Sequence, residues 1–396
     1  MTGSDRSPTE LAVDSDALTD RGEDLTVAVV GAGAVGVTAA YELALEGAEV
    51  TLYERDTVSS GASGRAAGIC YDAFTDSLDA ELAGEAIERF RAISGEDTFS
   101  FVECPYVWLA REGDDDRIET VREGIRRMQE NGVIALEVGP DSLAERFPSI
   151  RTDDVAVAGI AGAAGYTDPG RYTACLAAAA TGAGVTLETE TPVEVRTDPS
   201  RIVTERGDER EVDAVLVAAG AHTKRLLADA GIPIAMKPYR VQALVADSDF
   251  SEPICYDATG DFYVRPHPDG ILVGNGTETR EADPDEYDRD ADPEFASSLL
   301  DRLTHRLPDA EFDLERSWAG LCTATPDRNP LVGELREGIY VATGFQGQGF
   351  MRAPAIGERV AREIVDEEGM AAFDPTRFAG DESFDVTEGM TLTFEE

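Results

Sequence analysis

Apolar residues along this chain come in short runs that end on small residues, and three such runs stand out. The first, VAVV (27–30), breaks at Gly31, Gly33 and Gly36. A helical stretch over about residues 34 to 46 follows, then Gly47, then a second apolar run, AEVTLYE, that ends on Glu54. Short apolar runs bounded by glycine read as buried strands, so this unit is strand, tight turn, helix, strand. A second such run lies in EVDAVLVAAGAHT (211–223) and ends on Ala218, Ala219 and Gly220. The third, in GIYVATGFQGQGFMRAPAIGERVAREIV (338–365), ends in a turn holding Gly344, Gly347 and Gly349 and continues as a helix.

Between these runs the pattern changes. A charged region over 79–131 reads as helical, with Leu82, Ala86, Ile87 and Phe90 on one face. Residues 171–181 form an Ala-rich helix after Asp168-Pro169, a start signal, and strands are expected at 185–195 and 201–205. YRVQALVA and FYVRP…GILVGN suggest an antiparallel sheet, a flat wall on which a small molecule can be held. The acidic stretch TETREADPDEYDRDADPE (277–294) reads as a solvated loop, and no internal repeat is visible. With 396 residues the chain is long enough for two domains, or for one domain interrupted by another.

The glycine spacing points to a dinucleotide. Gly31 permits the tight turn, Gly33 lets a pyrophosphate approach the backbone, and Gly36 lets helix and strand pack closely. The helix start offers N–H groups to phosphates. Glu54 can accept the hydroxyl hydrogens of an adenosine ribose, and its charge would repel a 2′-phosphate. Whether the dinucleotide is NAD or FAD is decided further along. The small-residue segment RDTVSSGASGRAAGI (55–69) allows a second close backbone approach, and three glycine-rich strand ends spread over the whole chain suit a long cofactor lying across a sheet.

At these residues the chain resembles the FAD-dependent amino-acid oxidoreductases of the glycine oxidase, sarcosine oxidase and D-amino-acid oxidase superfamily. The resemblance covers about residues 25 to 370 and is carried by VVGAGAVG with Glu54, SGASGRAAG, GYTDPGRYTACLAAAATGAGVTLETETPVEVR, VLVAAGAHT, FYVRPHPDGILVG, WAGLCTATPDRNPLVG and GFQGQGFMRAPAIG, in that order. It implies an α/β protein: a Rossmann-type FAD-binding domain built from discontinuous segments, 25–78, 152–225 and 325–370. An inserted α+β substrate domain with an antiparallel sheet, 79–151 and 226–324, completes the implied layout. An acidic disordered tail is expected over 1–24 and a C-terminal tail over 371–396.

The cofactor-binding residues implied in the first unit are Gly31, Gly33, Ala34, Val35, Gly36 and Glu54. The segment after it contributes Arg55, Ala62, Ser63, Ala67, Gly68 and Ile69, and Val193 and Gly220 follow downstream. The last turn contributes Phe345, Gln346, Gly347, Gln348, Gly349, Phe350 and Met351. The implied reaction oxidises a small amino acid or secondary amine, of the sarcosine, glycine, proline or D-amino-acid class, to its imine. A flavin carries such chemistry itself, so a chain with three scattered histidines (His222, His267, His305) is no objection.

Near the substrate, Tyr263 matches a tyrosine that relatives use beside the carboxylate. Gln348 stands where the family commonly has histidine, keeping a donor but losing the titration. Cys322, Met351 and Leu272 depart from the family: they replace a carboxylate-binding arginine, a carboxylate-binding lysine and a lysine important for oxygen reaction. A carboxylate still calls for a cation. Arg240 and Arg265 are the first candidates, with Arg352 and Arg65 behind them. Cys322 falls two positions after the register of the covalent attachment in sarcosine oxidase, so FAD is expected without a covalent bond.

Composition narrows the setting. The chain holds 79 Asp plus Glu against 34 Lys plus Arg, a formal charge of −45, and only Lys224 and Lys237 are lysines. Such a polyanion repels nucleic acid and anionic lipid, so neither is expected as a partner. Acid spread along the whole length with so little lysine resembles the proteins of salt-loving archaea, where about 1 M salt screens self-repulsion within roughly 3 Å. The five cysteines lie far apart with no CxxC pair, reading as small buried hydrophobes rather than metal ligands or disulfides. No apolar run approaches a membrane span, and a cytoplasmic location is expected. Oxygen or an electron carrier would be the electron acceptor, and a homo-oligomer or a partner subunit is open. The rival readings are an electron-relaying or non-catalytic flavoprotein subunit and an NAD-dependent dehydrogenase.

Overall fold

The computed structural model describes residues 22–95 and 98–387. The acidic lead-in expected over 1–24 thus lies outside the described residues except at its end, where the Gly22 N–H donates to the Glu46 carbonyl (2.8 Å).

Two sheets organise the chain. The first has six strands, ordered Leu331–Arg336, Ile339–Thr343, Ala214–Val217, Thr26–Val30, Glu49–Tyr53, Thr186–Glu188. All pairings are parallel except the edge pair Leu331–Arg336 with Ile339–Thr343. Its central strands are near-continuous apolar runs, as strands covered on both faces must be. Helices Ala34–Leu45, Pro169–Gly182, Gly349–Val365 and Ser77–Ile93 pack on one another over this sheet. The closest approach is at Gly357, where a Cβ would come within 2.5 Å of Thr38 Cβ. Asp76 and Asp168 cap two of these helices: Asp76 accepts from Leu78 and Asp79 N–H, and Asp168 accepts from Arg171 N–H, each filling donors a helix start leaves open.

The second sheet has eight strands, ordered Asp313–Ala324, Lys237–Asp247, Gly270–Gly274, Phe262–His267, Ile254–Asp257, Tyr106–Arg111, Val155–Ala161, Ala135–Val138. It is antiparallel except where Ile254–Asp257 runs parallel to Tyr106–Arg111. The region 79–131 is therefore not helical throughout. Helices Ser77–Ile93 and Asp115–Glu130 flank the strand Tyr106–Arg111, whose partners lie far away in sequence. The strand Val155–Ala161 also belongs to this second sheet, and helix Ser77–Ile93 packs on Gly349–Val365, so neither falls on the expected side of the boundaries at 152 and 79. The segment after 371, expected as a tail, packs back: Phe373 and Val386 are buried, and Arg377 pairs with Asp327 at 2.8 Å. Among the described residues no helix is long and apolar enough to cross a membrane.

A buried charge cluster ties the second sheet to helix Pro293–Arg306. Asp257 and Arg306 are both wholly buried. The Asp257 carboxylate accepts from Arg111 (2.6 Å), from Arg306 (2.8 Å) and from the Gly260 N–H (2.7 Å), while Arg306 also pairs with Asp154 at 2.9 Å. Removing the Asp257 charge leaves the wholly buried Arg306 without one of its two carboxylate partners. Asp257→Asn is therefore expected to lower stability by about 3–5 kcal/mol, read as a fall in the denaturation midpoint under otherwise identical salt.

Candidate active site

A cavity of about 1080 Å³ runs between the two sheets. It starts at the carboxyl end of Thr26–Val30, the position where open α/β sheets bind ligands. Gly31, at φ 110°, turns the chain there, and a Cβ on it would meet the Ala218 carbonyl oxygen at 2.5 Å. Gly36 is tighter still: a Cβ would lie 2.0 Å from the Gly31 carbonyl oxygen. No other residue lets the helix start come so close to the two central strands. The Glu54 carboxylate is fixed by the Ala32 and Asp56 N–H groups, both at 2.9 Å. Each of its oxygens keeps a second lone pair for a ligand hydroxyl. The Ala34 N–H donates to Ser63 Oγ at 2.9 Å, which draws the segment after residue 55 over the helix start.

That segment is held from behind. Arg265 donates to the Ala67 carbonyl (2.5 Å) and the Pro266 carbonyl (2.6 Å), and its guanidinium lies 4.9 Å from the Tyr166 ring centre. Burial lowers its pKa to about 10. Trp318 Nε1 donates to the Arg65 carbonyl at 3.1 Å, joining the same segment to the second sheet.

The far end of the cavity is the face of that sheet. Tyr239, Val241 and Ala243 pair in register with Cys322, Gly320 and Trp318, and all six line the cavity, together with Gln242, Leu321 and Thr323 of the same two strands. Tyr263 lines it as well, its ring lying across Gly274, where a Cβ would sit 2.2 Å from the phenol oxygen. The turn before helix Gly349–Val365 closes this end. Gln346 stands at φ 52°, its N–H donating to the Thr323 carbonyl (2.8 Å) and its side chain to the Thr387 carbonyl (2.8 Å). A Cβ on Gly347 would lie 3.7 Å from both Cys322 Sγ and the Tyr239 hydroxyl.

Every expected cofactor-binding residue except Gly36 and Gln348 lines this cavity. Gly36 lies beneath it in the helix–strand contact. Gln348 is the N-cap residue of helix Gly349–Val365, between the lining residues Gly347 and Gly349, and is not itself in the lining.

Of the four arginines, only Arg65 reaches the cavity. Arg240 alternates to the opposite face from Tyr239 and Val241; it pairs with Glu278 and Asp292 and donates to the Asp288 and Asp290 carbonyls. Arg265 braces Ala67 as described. Arg352 is buried against Asp79 and the Phe74 ring. Expected as substrate-binding groups, these three serve the scaffold. Arg65 Nη1 donates to the Ser60 and Gly61 carbonyls, and among the described residues no carboxylate pairs with Arg65.

Other residues come to the site without being foreseen. Tyr239 and Trp318 lie on two paired strands of the second sheet. His222 and Arg225 come from the helical turns Gly220–His222 and Thr223–Asp229, and Tyr287 and Arg289 from the acidic stretch expected to be solvated. The glycine contacts make one substitution decisive. Gly36→Ala is expected to abolish retention of a dinucleotide, checked by the visible spectrum and by the nucleotide released on denaturing the purified protein. Gly84→Ala, in helix Ser77–Ile93 outside the cavity lining and where a Cβ meets nothing, is the control.

Comparison with known proteins agrees with this geometry. A family model described as FAD dependent oxidoreductase (DAO) matches residues 26–363. Glycine oxidase of Geobacillus kaustophilus (strain HTA426) is 29% identical over 378 residues, which cover 89% of this chain and 97% of that protein. The 4-methylaminobutanoate oxidase (formaldehyde-forming) of Paenarthrobacter nicotinovorans is 28% identical over 386 residues, covering 89% of this chain but only 45% of that longer protein. Among solved structures, L-proline dehydrogenase from P. horikoshii matches with a TM-score of 0.79 at 28% identity, over 90% of this chain and 98% of that one. The NAD-dependent reading is thereby set aside. From the glycine turn beneath the cavity to the closing helix, the chain belongs to the family of FAD dependent oxidoreductases.

Proposed function

We propose that this protein oxidises a small amino acid or secondary amine, of the sarcosine, glycine, proline or D-amino-acid class, to its imine, using FAD held without a covalent bond. The observation that carries the reading is the continuity of the cavity, from the glycine turn at Gly31 to the sheet face bearing Tyr263. Its volume, about 1080 Å³, is at the upper end of small-molecule sites, which run from about 300 to 1,000 Å³. The residues fit FAD: the cradle at Gly31 and Gly36 has no room for side chains, a helix start faces it, and Glu54 is oriented for a ribose. The relatives named above, an oxidase of glycine, a dehydrogenase of proline and an oxidase of a methylamino acid, favour an amine substrate.

When bound, FAD accepts the hydride equivalent from the carbon beside the substrate nitrogen. The chain then has three tasks. The first turns of helices Ala34–Leu45 and Gly349–Val365 present N–H groups that have no acceptor within their own helix. The former suits the pyrophosphate, the latter the negative charge that develops at the ring edge. Tyr263 orients the substrate through its hydroxyl. Arg65, half-buried at the cavity wall and paired with no carboxylate among the described residues, supplies the cation for a substrate carboxylate in place of Arg240 and Arg265. The flanking aromatic rings of Tyr239 and Trp318 exclude water from the reacting carbon.

The reading is tested by purifying the protein in molar salt and mixing it anaerobically with sarcosine, glycine, L-proline and D-amino acids while following the flavin band. One class is expected to bleach it, and Arg65→Gln should raise the concentration needed for half-reduction by about tenfold or more, the scale of a lost charged hydrogen bond. Acid precipitation should leave the yellow colour in solution. A flavin that no member bleaches would instead support an electron-relaying subunit.

A further inference from the structure

The acidic stretch after strand Gly270–Gly274 does not hang in solvent. Its base is fastened to the second sheet. The Glu278 N–H donates to the Arg240 carbonyl (2.9 Å), the Ala282 N–H to the Pro238 carbonyl (2.8 Å), and the Ala319 N–H to the Arg289 carbonyl (2.8 Å). The Arg240 side chain gathers the same arm through Glu278, Asp292 and the carbonyls of Asp288 and Asp290. Its tip reaches the other side of the cavity, onto residues that border the first sheet. There Asp285 accepts from Arg55 Nη1 (3.2 Å), pairs with His222 Nε2 (3.1 Å) and with Arg225, while Glu281 pairs with Lys224. Arg55, His222 and Arg225 all line the cavity, as do Pro284, Tyr287 and Arg289 of the loop itself.

We propose that Asp285 is a positioning residue that clasps this loop across the adenosine end of the cavity and so governs how long FAD stays bound. An isolated exposed ion pair is worth little. Here three cationic or basic groups from two segments converge on one carboxylate, in a chain where acid outnumbers base 79 to 34. Glu54, whose carboxylate is set for the ribose, is the immediate neighbour of Arg55, so the clasp closes over the place where the nucleotide would enter and leave. Partial burial would raise the Asp285 pKa, but His222, Arg55 and Arg225 outweigh it and hold it at about 2. Asp285 therefore stays ionised near neutrality, while burial lowers the pKa of His222, and salt weakens the ion pairs with Arg55 and Arg225.

The sign of the effect separates this role from simple charge. FAD is an anion, so deleting a nearby carboxylate by charge alone would tighten its binding. Loss of the clasp loosens it. The experiment measures FAD dissociation and the FAD dissociation constant by flavin fluorescence for the wild type, Asp285→Asn, Asp285→Glu and Glu286→Gln. Glu286→Gln removes the same charge from the adjacent exposed position, where the structure shows no side-chain partner.

Asp285→Asn is expected to release FAD about tenfold faster, the scale of a lost charge-assisted bond, with Asp285→Glu restoring much of the retention and Glu286→Gln resembling the wild type. The denaturation midpoint of the apoprotein should not move. Unchanged or slower release from Asp285→Asn, or equal loosening by Glu286→Gln, overturns the proposal. None of these readouts depends on which amine is oxidised. Failure of the wild type to bind FAD would overturn the cofactor reading and the clasp together.

Discussion

The structure turns on how closely backbone can approach backbone at the end of its first strand. Gly31, Gly36 and Ala218 bring a helix start and two parallel strands within the distance of a single missing methyl group. That approach fixes the direction of helix Ala34–Leu45, and hence the point at which its N–H groups meet the cavity. It also fixes Glu54, because the strand that carries it is paired residue for residue with Thr26–Val30. The segment carrying Ser63 and Ala67 then closes on this corner, held by the Ala34 N–H on one side and by the Arg265 guanidinium on the other. A cofactor site of this kind needs few specific side chains, since its shape is made by main chain.

The second sheet supplies the other wall. The edge strand Asp313–Ala324 and its neighbour Lys237–Asp247 form this wall, and Tyr239 faces the cavity while Arg240 does not, so these two residues, adjacent in sequence, have unrelated roles. Arg240 gathers the acidic loop; Tyr239 stands beside the closing turn. The buried Asp257, Arg111 and Arg306 cluster holds the sheet from the opposite side and touches nothing in the site. Cations are scarce in this chain, and the structure spends its buried ones on the scaffold. Arg65 lines the cavity wall without a carboxylate partner among the described residues.

How much of this could be read from the chain follows from how local each constraint is. The glycine turn was legible because its steric requirement is met within a few residues, and the helix after Asp168-Pro169 because its cap is adjacent to it. The strand Tyr106–Arg111 was not legible inside a charged stretch, since what makes it a strand is its pairing with Ile254–Asp257 and Val155–Ala161. Arg240 and Arg265 were placed near the site by their neighbours in sequence, whereas Arg240 is taken up by the acidic loop and Arg265 by the Ala67 and Pro266 carbonyls. The loop carrying Asp285 looked solvated by composition. Its acid is indeed largely exposed, but its partners come from residues 55, 222, 224 and 225, which no local pattern connects to it.

The central claim is that one dinucleotide lies along the cavity from the glycine turn to the sheet face. A crystal structure of the protein purified in high salt with FAD tests it most directly. The account predicts the pyrophosphate over Gly33 and Ala34 and the flavin ring between the Gln346 turn and the face bearing Tyr263. An FAD ring placed outside that face, or a cavity that holds only a mononucleotide at the glycine turn, would contradict it.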